Sequence, residues 1–525
     1  MPPKKMSRRG LFRSGAALAA AGVSASIPEP ALAAPALELG ANLYESIGVT
    51  PIVNCRGTYT IITGSQTLPE VKRAMEEASR AYVHMDELME AVGQRLVELT
   101  KAEWGIVTAG CAAALTHATS ACIAGGDPEK MQRVPNLAGL KNEVVVPRYS
   151  RNEYDHAVRM LGVKMVEVET AAQFEAALGP RTAMVMILSG PAAESGELSI
   201  GNACAMARRK GVPVIVDAAA ETLTIPNIHL AHGAHMVAYS GGKCLRGPQA
   251  AGLLLGQKDL VRAAWTNSAP HHAFGRSLKV GKEEIMGMLA AVEMWVKRDH
   301  DAEWKQWRAW LDYIAGQATQ APGVTSEILQ PEDLSNHAPR LRLHWDTDLI
   351  GITGAEAEDI LWHGQPRIAV NEGAGTRRDG KSSSLTIMPY MMMPGDDKIA
   401  AAAIRKLLAN PPHIAPPEPE PAGVDVTGEW VADLAFVSGA SRHHFTIEQH
   451  EGKLSGVHRG DVLSGALTGA VEGRRVTIRS AQRIEGAMLH YEFAGDVTGG
   501  RMEGVVKLGE YGQARWLAEK LARKA

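Results

Sequence analysis

From Glu70 to Trp104 the apolar positions Val71, Met75, Ala78, Tyr82, Met85, Met89, Val92, Leu96 and Leu99 step by alternating fours and threes. That spacing keeps one face apolar at 3.6 residues per turn, so it predicts a sustained amphipathic helix with at most one break. Its duty is packing. The rhythm then changes to short apolar runs at Val144–Val146, Val163–Val168, Ala183–Leu188, Pro213–Val216, Met236–Tyr239 and Gly252–Leu255. Helical-looking stretches at Asn152–Leu161, Ala171–Leu178 and Ile200–Lys210 separate several of them. Strands alternating with helices predict an α/β fold with a mostly parallel sheet covered on both faces.

A tryptophan-rich helix around Trp295–Trp310 leads into a less regular α+β stretch ending near Ala409. NPPHIAPPEPEPAG, residues 410–423, is too rich in proline to be anything but an extended linker. Beyond Gly428 the runs EWVADLAFV, HHFTIEQH, KLSGVHR, GALTGAV, RRVTIRS, MLHYEFAGDV, RMEGVVKL and QARWLAEK alternate between Gly- and Asp-marked turns. They predict an antiparallel meander closed into a small β-barrel. The expected organisation is residues 34–325 for a helical segment and large domain, 326–409 for a smaller α+β domain, 410–423 for the linker and 424–525 for the barrel.

A chain of 525 residues, 45% hydrophobic and 22% charged, has ample material for more than one core. A net charge of −3 gives no electrostatic reason to expect nucleic acid. No apolar run beyond the N-terminus is long enough for a stable membrane span. The five cysteines do not make a disulfide framework, and their odd number leaves at least one thiol unpaired. Residues 1–33 read as a targeting segment: Lys4, Lys5, Arg8, Arg9 and Arg13 come first, then an alanine-rich apolar stretch, then the small-residue site Ala31-Leu32-Ala33. SRRGLF resembles the twin-arginine export signal, which implies a protein exported already folded and found in the periplasm or outside the cell.

Three features of the middle region belong together. Pro213-Val214-Ile215-Val216-Asp217 is a buried-looking strand ending in an acid, and ligands of open α/β sheets sit at strand carboxyl ends. Ser240-Gly241-Gly242-Lys243 follows the next strand. Thr108-Ala109-Gly110-Cys111-Ala112 leads into an apolar helix whose first N–H groups and positive dipole end suit a phosphate. Alone, each has a plain structural reading: a helix-capping acid, a solvated lysine on a turn, close packing of small residues. Together they match the needs of pyridoxal 5'-phosphate. Lys243 is the candidate tether, Asp217 the partner of the ring nitrogen, and Thr108, Gly110, Cys111, Ala112 and Ser240 the phosphate holders.

VPVIVDAAAETL, HMVAYSGGKCLRGPQAAGLLLG, GRSLKVGKEEIMGML and KNEVVVPRYSRNEYDHAVRMLGVKMVEV resemble the selenocysteine synthase-like group of pyridoxal-phosphate enzymes, which includes the D-glucosaminate-6-phosphate ammonia-lyases. The resemblance runs from about Leu43 to Leu407. It implies the aspartate-aminotransferase-like fold (fold type I), a homodimer or larger homo-oligomer, and sites at subunit interfaces. It implies Lys243 as the Schiff-base lysine, Asp217 as the pyridinium partner, and Arg276 and Lys279 as groups reaching phosphate or substrate.

Many fold-type-I enzymes grip a substrate carboxylate with an arginine near the end of the second domain, where this chain reads SLTIMPYMMMPG. Arg367 is the nearest replacement, a surface ion pair being the other reading. Arg148 and His156 follow the Val146 strand; His156 is a candidate to stack on the cofactor ring, or is an ordinary helix histidine. Glu194-Ser195-Gly196 is placed to line the mouth of the site. The adjacent pairs His271-His272 and His443-His444 point apart and make no metal site, and the barrel shows no titratable cluster of catalytic type. The reading is a lyase that eliminates a β-group and ammonia from a small amino substrate. An aminotransferase, racemase or aldolase, or a non-catalytic binding protein, are the alternatives. Selenocysteine synthesis is disfavoured, since charged transfer RNA is absent outside the cytoplasm.

Overall fold

In the computed structural model, residues 37–375, 382–414 and 420–521 are described. The expected signal segment 1–33 and positions 415–419 of the expected linker lie outside them. The chain divides after Ile52 into two units. The described part of the first carries a short 3-10 helix, Glu45–Ile47. The second, from Val53, holds the sheets and the barrel.

Its central sheet has seven strands in the order Trp104–Thr108, Gly252–Gly256, Met236–Ser240, Val214–Asp217, Thr182–Leu188, Glu143–Pro147, Lys164–Val168. Gly252–Gly256 runs antiparallel to both neighbours, and every pair from Met236–Ser240 to Lys164–Val168 is parallel. Parallel neighbours need crossover helices, which cover both faces and explain why Val185, Val214, Ile215 and Val216 are fully buried. This is the mostly parallel, aspartate-aminotransferase-like arrangement.

The long amphipathic face is two helices, Pro69–Ser79 and Met85–Thr100. The break holds Tyr82, which is fully exposed rather than part of the face. His84 is extended at the second start, where Asp86 and Glu87 complement the helix dipole. The strand Trp104–Thr108 was not anticipated; all five positions are buried, so no alternation marks it. The tryptophan-rich helix is likewise two, Lys282–Lys297 and His300–Ala318, the second capped by Asp299 accepting from the Ala302 N–H at 2.9 Å.

The smaller domain is a four-stranded antiparallel sheet ordered Asn371–Ala374, Ser382–Ile387, Arg340–Asp346, Thr325–Leu329. Its core joins Leu341, Leu343 and Leu385 to Leu311 and Ile314 of the His300–Ala318 helix and Ile404 of Asp396–Ala409. The C-terminal eight strands, from Gly428–Ala435 to Gln513–Lys520, close into an antiparallel barrel, first strand pairing with last. The barrel rests on the large domain through its Glu485-Gly486 turn. Arg151, itself buried, reaches Asp155, Glu167 and Glu485, and Arg483 reaches Glu167. Gly486 meets the Asn152 backbone so closely that a Cβ there would sit 2.0 Å from its carbonyl oxygen.

Candidate active site

Asp217 ends its strand between Leu188 and Ala238 and is 2% exposed. The Ala219 N–H donates to its Oδ1 at 3.2 Å, and the Cys111 thiol donates to the same oxygen at 3.5 Å. Burial pushes the carboxyl above its ordinary value; the Ala219 N–H, the Lys243 charge and the Cys111 bond pull it back, while Glu221 adds to the rise. Burial also raises the Cys111 thiol well above its usual range, with Asp217 adding to it, so Cys111 is a neutral donor and no nucleophile.

Lys243 sits half-buried on the turn after Met236–Ser240. The turn is pinned by Gly241 N–H to Ala251 O at 2.8 Å and by Arg246 N–H to the Lys243 carbonyl at 3.0 Å. A Cβ on Gly242 would lie 2.7 Å from Gln249 Cα, which is why the residue before the lysine is glycine. The Ser65 N–H donates to the Gly242 carbonyl at 2.9 Å, and the Leu68 N–H to the Arg246 carbonyl at 3.1 Å, so the segment around Ser65–Leu68 lies against this turn. The Ser65 hydroxyl is buried there without a partner.

The helix Gly110–Ala124 starts in the third part of the site. No side chain caps it, and Gly110 takes φ +80°, a left-handed turn that points the first N–H groups away from the strand. Thr108 spends its hydroxyl proton on the Gly110 carbonyl at 2.8 Å, bracing that turn. Ala112 is exposed on the first turn, so the helix end is open. Ser240 is half-buried and its N–H donates to the Ala219 carbonyl at 3.3 Å. Asp217, Cys111, Lys243, Gly110 and Ser240 thus share the carboxyl edge of the sheet.

Among the described residues, no hydrogen bond or ion pair joins the remaining candidates to Asp217 or Lys243. Arg148 is exposed and paired with exposed Glu169. His156 is exposed at the start of the His156–Arg159 turn. Arg276 and Lys279 are exposed on one loop. Arg367 lies 5.4 Å over the Trp362 ring in the smaller domain. Glu194, the last residue of the one-turn helix Pro191–Glu194, and Ser195 after it are exposed. Sequence reasoning missed the buried hydrogen bond between Glu221 and His229, with the Glu221 charge acting on Asp217. It also missed two arginines. Arg246 and Arg298 line a cavity of about 1110 Å³ together with Cys244, Trp307, Tyr390 and the methionines 391–393. That cavity carries guanidinium groups opposite the methionine loop that lacks one, although neither Lys243 nor Asp217 lines it. The signal available was the Arg246 position, three residues past the lysine. Among the described residues no group of three or more His, Cys, Asp or Glu is placed to hold a metal, and no helix is long and apolar enough to cross a membrane.

The chain is 30% identical over 334 residues to a Salmonella typhimurium protein named D-glucosaminate-6-phosphate ammonia lyase, covering 62% of this chain and 88% of that one. The chain belongs to the D-glucosaminate-6-phosphate ammonia-lyase-like family. A solved structure of D-glucosaminate-6-phosphate ammonia-lyase superposes with a TM-score of 0.63 at 27% identity, over 70% of this chain and 99% of that one. A Streptomyces protein named 5'-C-glycyluridine monooxygenase-decarboxylase is 29% identical over 381 residues, 70% of this chain and 92% of that one. An L-seryl-tRNA(Sec) selenium transferase of Rhizobium meliloti is 29% identical over 213 residues, 36% of this chain and 44% of that one. No family model matches. Pyridoxal phosphate is the expected cofactor of this family, and the residues fit it. A buried acid, an amine whose charge acts on it and a helix start without a side-chain cap are the three groups such a molecule requires.

Proposed function

We propose that the chain is a pyridoxal-phosphate-dependent lyase that removes a β-substituent and ammonia from an amino acid or amino sugar acid. It works as a homodimer or larger homo-oligomer and is exported folded by the twin-arginine route. The buried Asp217 carboxyl, bonded by Cys111 and Ala219 and influenced by Lys243, carries the reading. Bound there, pyridoxal phosphate supplies a carbonyl for amine capture and a ring that accepts an electron pair. Lys243 would hold the cofactor through Nζ and, when its amine is free, would take the proton from the substrate's α-carbon. Asp217 would face the ring nitrogen and hold a proton there, in a buried setting that strengthens such a contact. The N–H groups at Gly110, Cys111 and Ala112, with Ser240, hold the phosphate. Arg276 and Lys279, exposed in the single chain, suit a site completed across a subunit interface, where they reach phosphate or substrate. Export rests on the Arg8-Arg9 segment alone; fractionation of cells carrying the Arg8→Lys, Arg9→Lys chain tests it.

The Streptomyces relative favours a second reading, α-decarboxylation with dioxygen. Both are tested by incubating the holoenzyme with D-glucosaminate 6-phosphate and with β-hydroxy amino acids while following ammonia, 2-keto acid and oxygen. Equal ammonia and keto acid without oxygen uptake supports elimination. Oxygen consumption with carbon dioxide release supports the second reading. Keto acid formed only with an amino acceptor, and no ammonia, would make it an aminotransferase.

A further inference from the structure

The barrel interior is polar at one end. His443 and His458, on neighbouring strands and both inward, are 5% and 0% exposed. Their ring nitrogens, His443 Nδ1 and His458 Nε2, meet at 2.7 Å. The Gln482 amide donates to His458 Nδ1 at 3.0 Å, so the proton of His458 is on Nε2 and is donated to His443 Nδ1. The proton of His443 is then on Nε2, 3.0 Å from Ser441 Oγ. The chain of donors runs one way, from Gln482 to Ser441. Both imidazoles are neutral: burial pulls them below the ordinary value, His458 to about 3.

Two features of this end are not accounted for by packing. Ser480 is 6% exposed, shares the inward face with Ile478 and Gln482, and its hydroxyl has no partner among the described residues. Leaving a buried hydroxyl without a partner is unfavourable. Ser480's cross-strand partner Tyr491 lines a cavity of about 360 Å³, together with Phe436, Leu489, His490, Leu508 and Tyr511; Ser480 itself is not among its walls. The strand register joins the two: Ser480 pairs with Tyr491 and Gln482 with Leu489. Tyr491 is also the wall against the histidines, its ring centroid 4.9 Å from that of His458. An eight-stranded barrel is wide enough for one small ligand, and the other end is closed by Trp430, whose indole N–H is held by the Val426 carbonyl at 2.8 Å.

We propose that this end of the barrel binds an uncharged small molecule with an apolar body and one hydrogen-bonding head group. The body fills the space between Phe436, Leu489 and Leu508, and the head meets Tyr491 and Ser480. No inward position here carries a charge, so a charged head would be buried unpaired at high cost. The site stands independently of the chemistry at Lys243.

The test titrates the full-length protein with N-phenyl-1-naphthylamine, an uncharged probe that fluoresces in apolar surroundings. Saturable one-to-one binding is expected, weakened at least tenfold by Leu489→Trp and by Leu508→Trp, each of which fills the cavity. The sulfonated analogue 1-anilinonaphthalene-8-sulfonate should bind at least tenfold more weakly. Circular dichroism and thermal melting show whether each variant is folded; Tyr511→Trp, at the rim, serves if Leu489→Trp is not. No saturable binding overturns the proposal. So does binding that folded barrel variants leave unchanged but Met391→Trp, at the cavity beside Cys244, abolishes.

Discussion

Gly252→Ala probes the proposed phosphate cradle without touching a reacting group. A Cβ at position 252 would lie 2.3 Å from the Gly110 carbonyl carbon, 2.4 Å from its oxygen and 2.6 Å from the Cys111 nitrogen. All three are backbone atoms, so no side chain can swing away. The strand Gly252–Gly256 and the start of helix Gly110–Ala124 must separate by about 1 Å to restore ordinary contact, and such overpacking costs about 1–3 kcal/mol of stability. The same movement displaces the N–H groups assigned to the phosphate. Losing one hydrogen bond to a charged group is worth about 1.5–3 kcal/mol, which weakens cofactor binding by roughly 10- to 150-fold. The assay is an absorbance titration of cofactor-free protein with pyridoxal phosphate, with urea unfolding beside it. Gly126→Ala is the control, since a Cβ there meets nothing within 4 Å. Wild-type affinity in a folded Gly252→Ala protein would refute the assignment of this helix start.

Other expected outcomes follow from the same geometry. Burial holds the Asp217 carboxyl above its ordinary value, so the folded state keeps that proton longer than the unfolded chain. Stability of the cofactor-free protein then falls as pH rises from the ordinary carboxylate range through the folded value, and Asp217→Asn removes that slope while abolishing activity; melts across pH check it. Arg151→Ala leaves fully buried Asp155 with Arg159 alone and frees Glu485 from the large domain. A cost of about 3–5 kcal/mol in urea unfolding is expected, and no change would contradict the assigned role. Burial raises every cysteine, with Cys122, Cys204 and Cys244 pushed to about 12. A thiol reagent at mildly alkaline pH should therefore find almost none in the native protein and five after denaturation.

The sheet was legible because its strands are short apolar runs between helical patterns, and the barrel because alternation survives where one face is wet. Trp104–Thr108 was not, since a strand buried on both faces loses its period. Tyr82 matched the helical spacing and still fell in a break, because spacing alone cannot tell one helix from two that share an axis of apolar residues. At the site, Asp217 and Lys243 were readable as strand-end and turn residues. The Cys111 contact with Asp217 joins residues 106 positions apart and depends on strand order. The pairing of His443 with His458 was missed for a related reason: the adjacent His443-His444 drew attention, while the partner lay one strand away at the same inward parity.

The central claim is that Lys243 holds pyridoxal phosphate. The purified protein, supplied with the cofactor, should show a visible absorption band that borohydride abolishes. Peptide mapping should then find the reduced adduct on Lys243, and Lys243→Ala should show neither band nor adduct. A cofactor-saturated wild-type protein with no such band, or an adduct that persists on another lysine when Lys243 is replaced, would contradict the account.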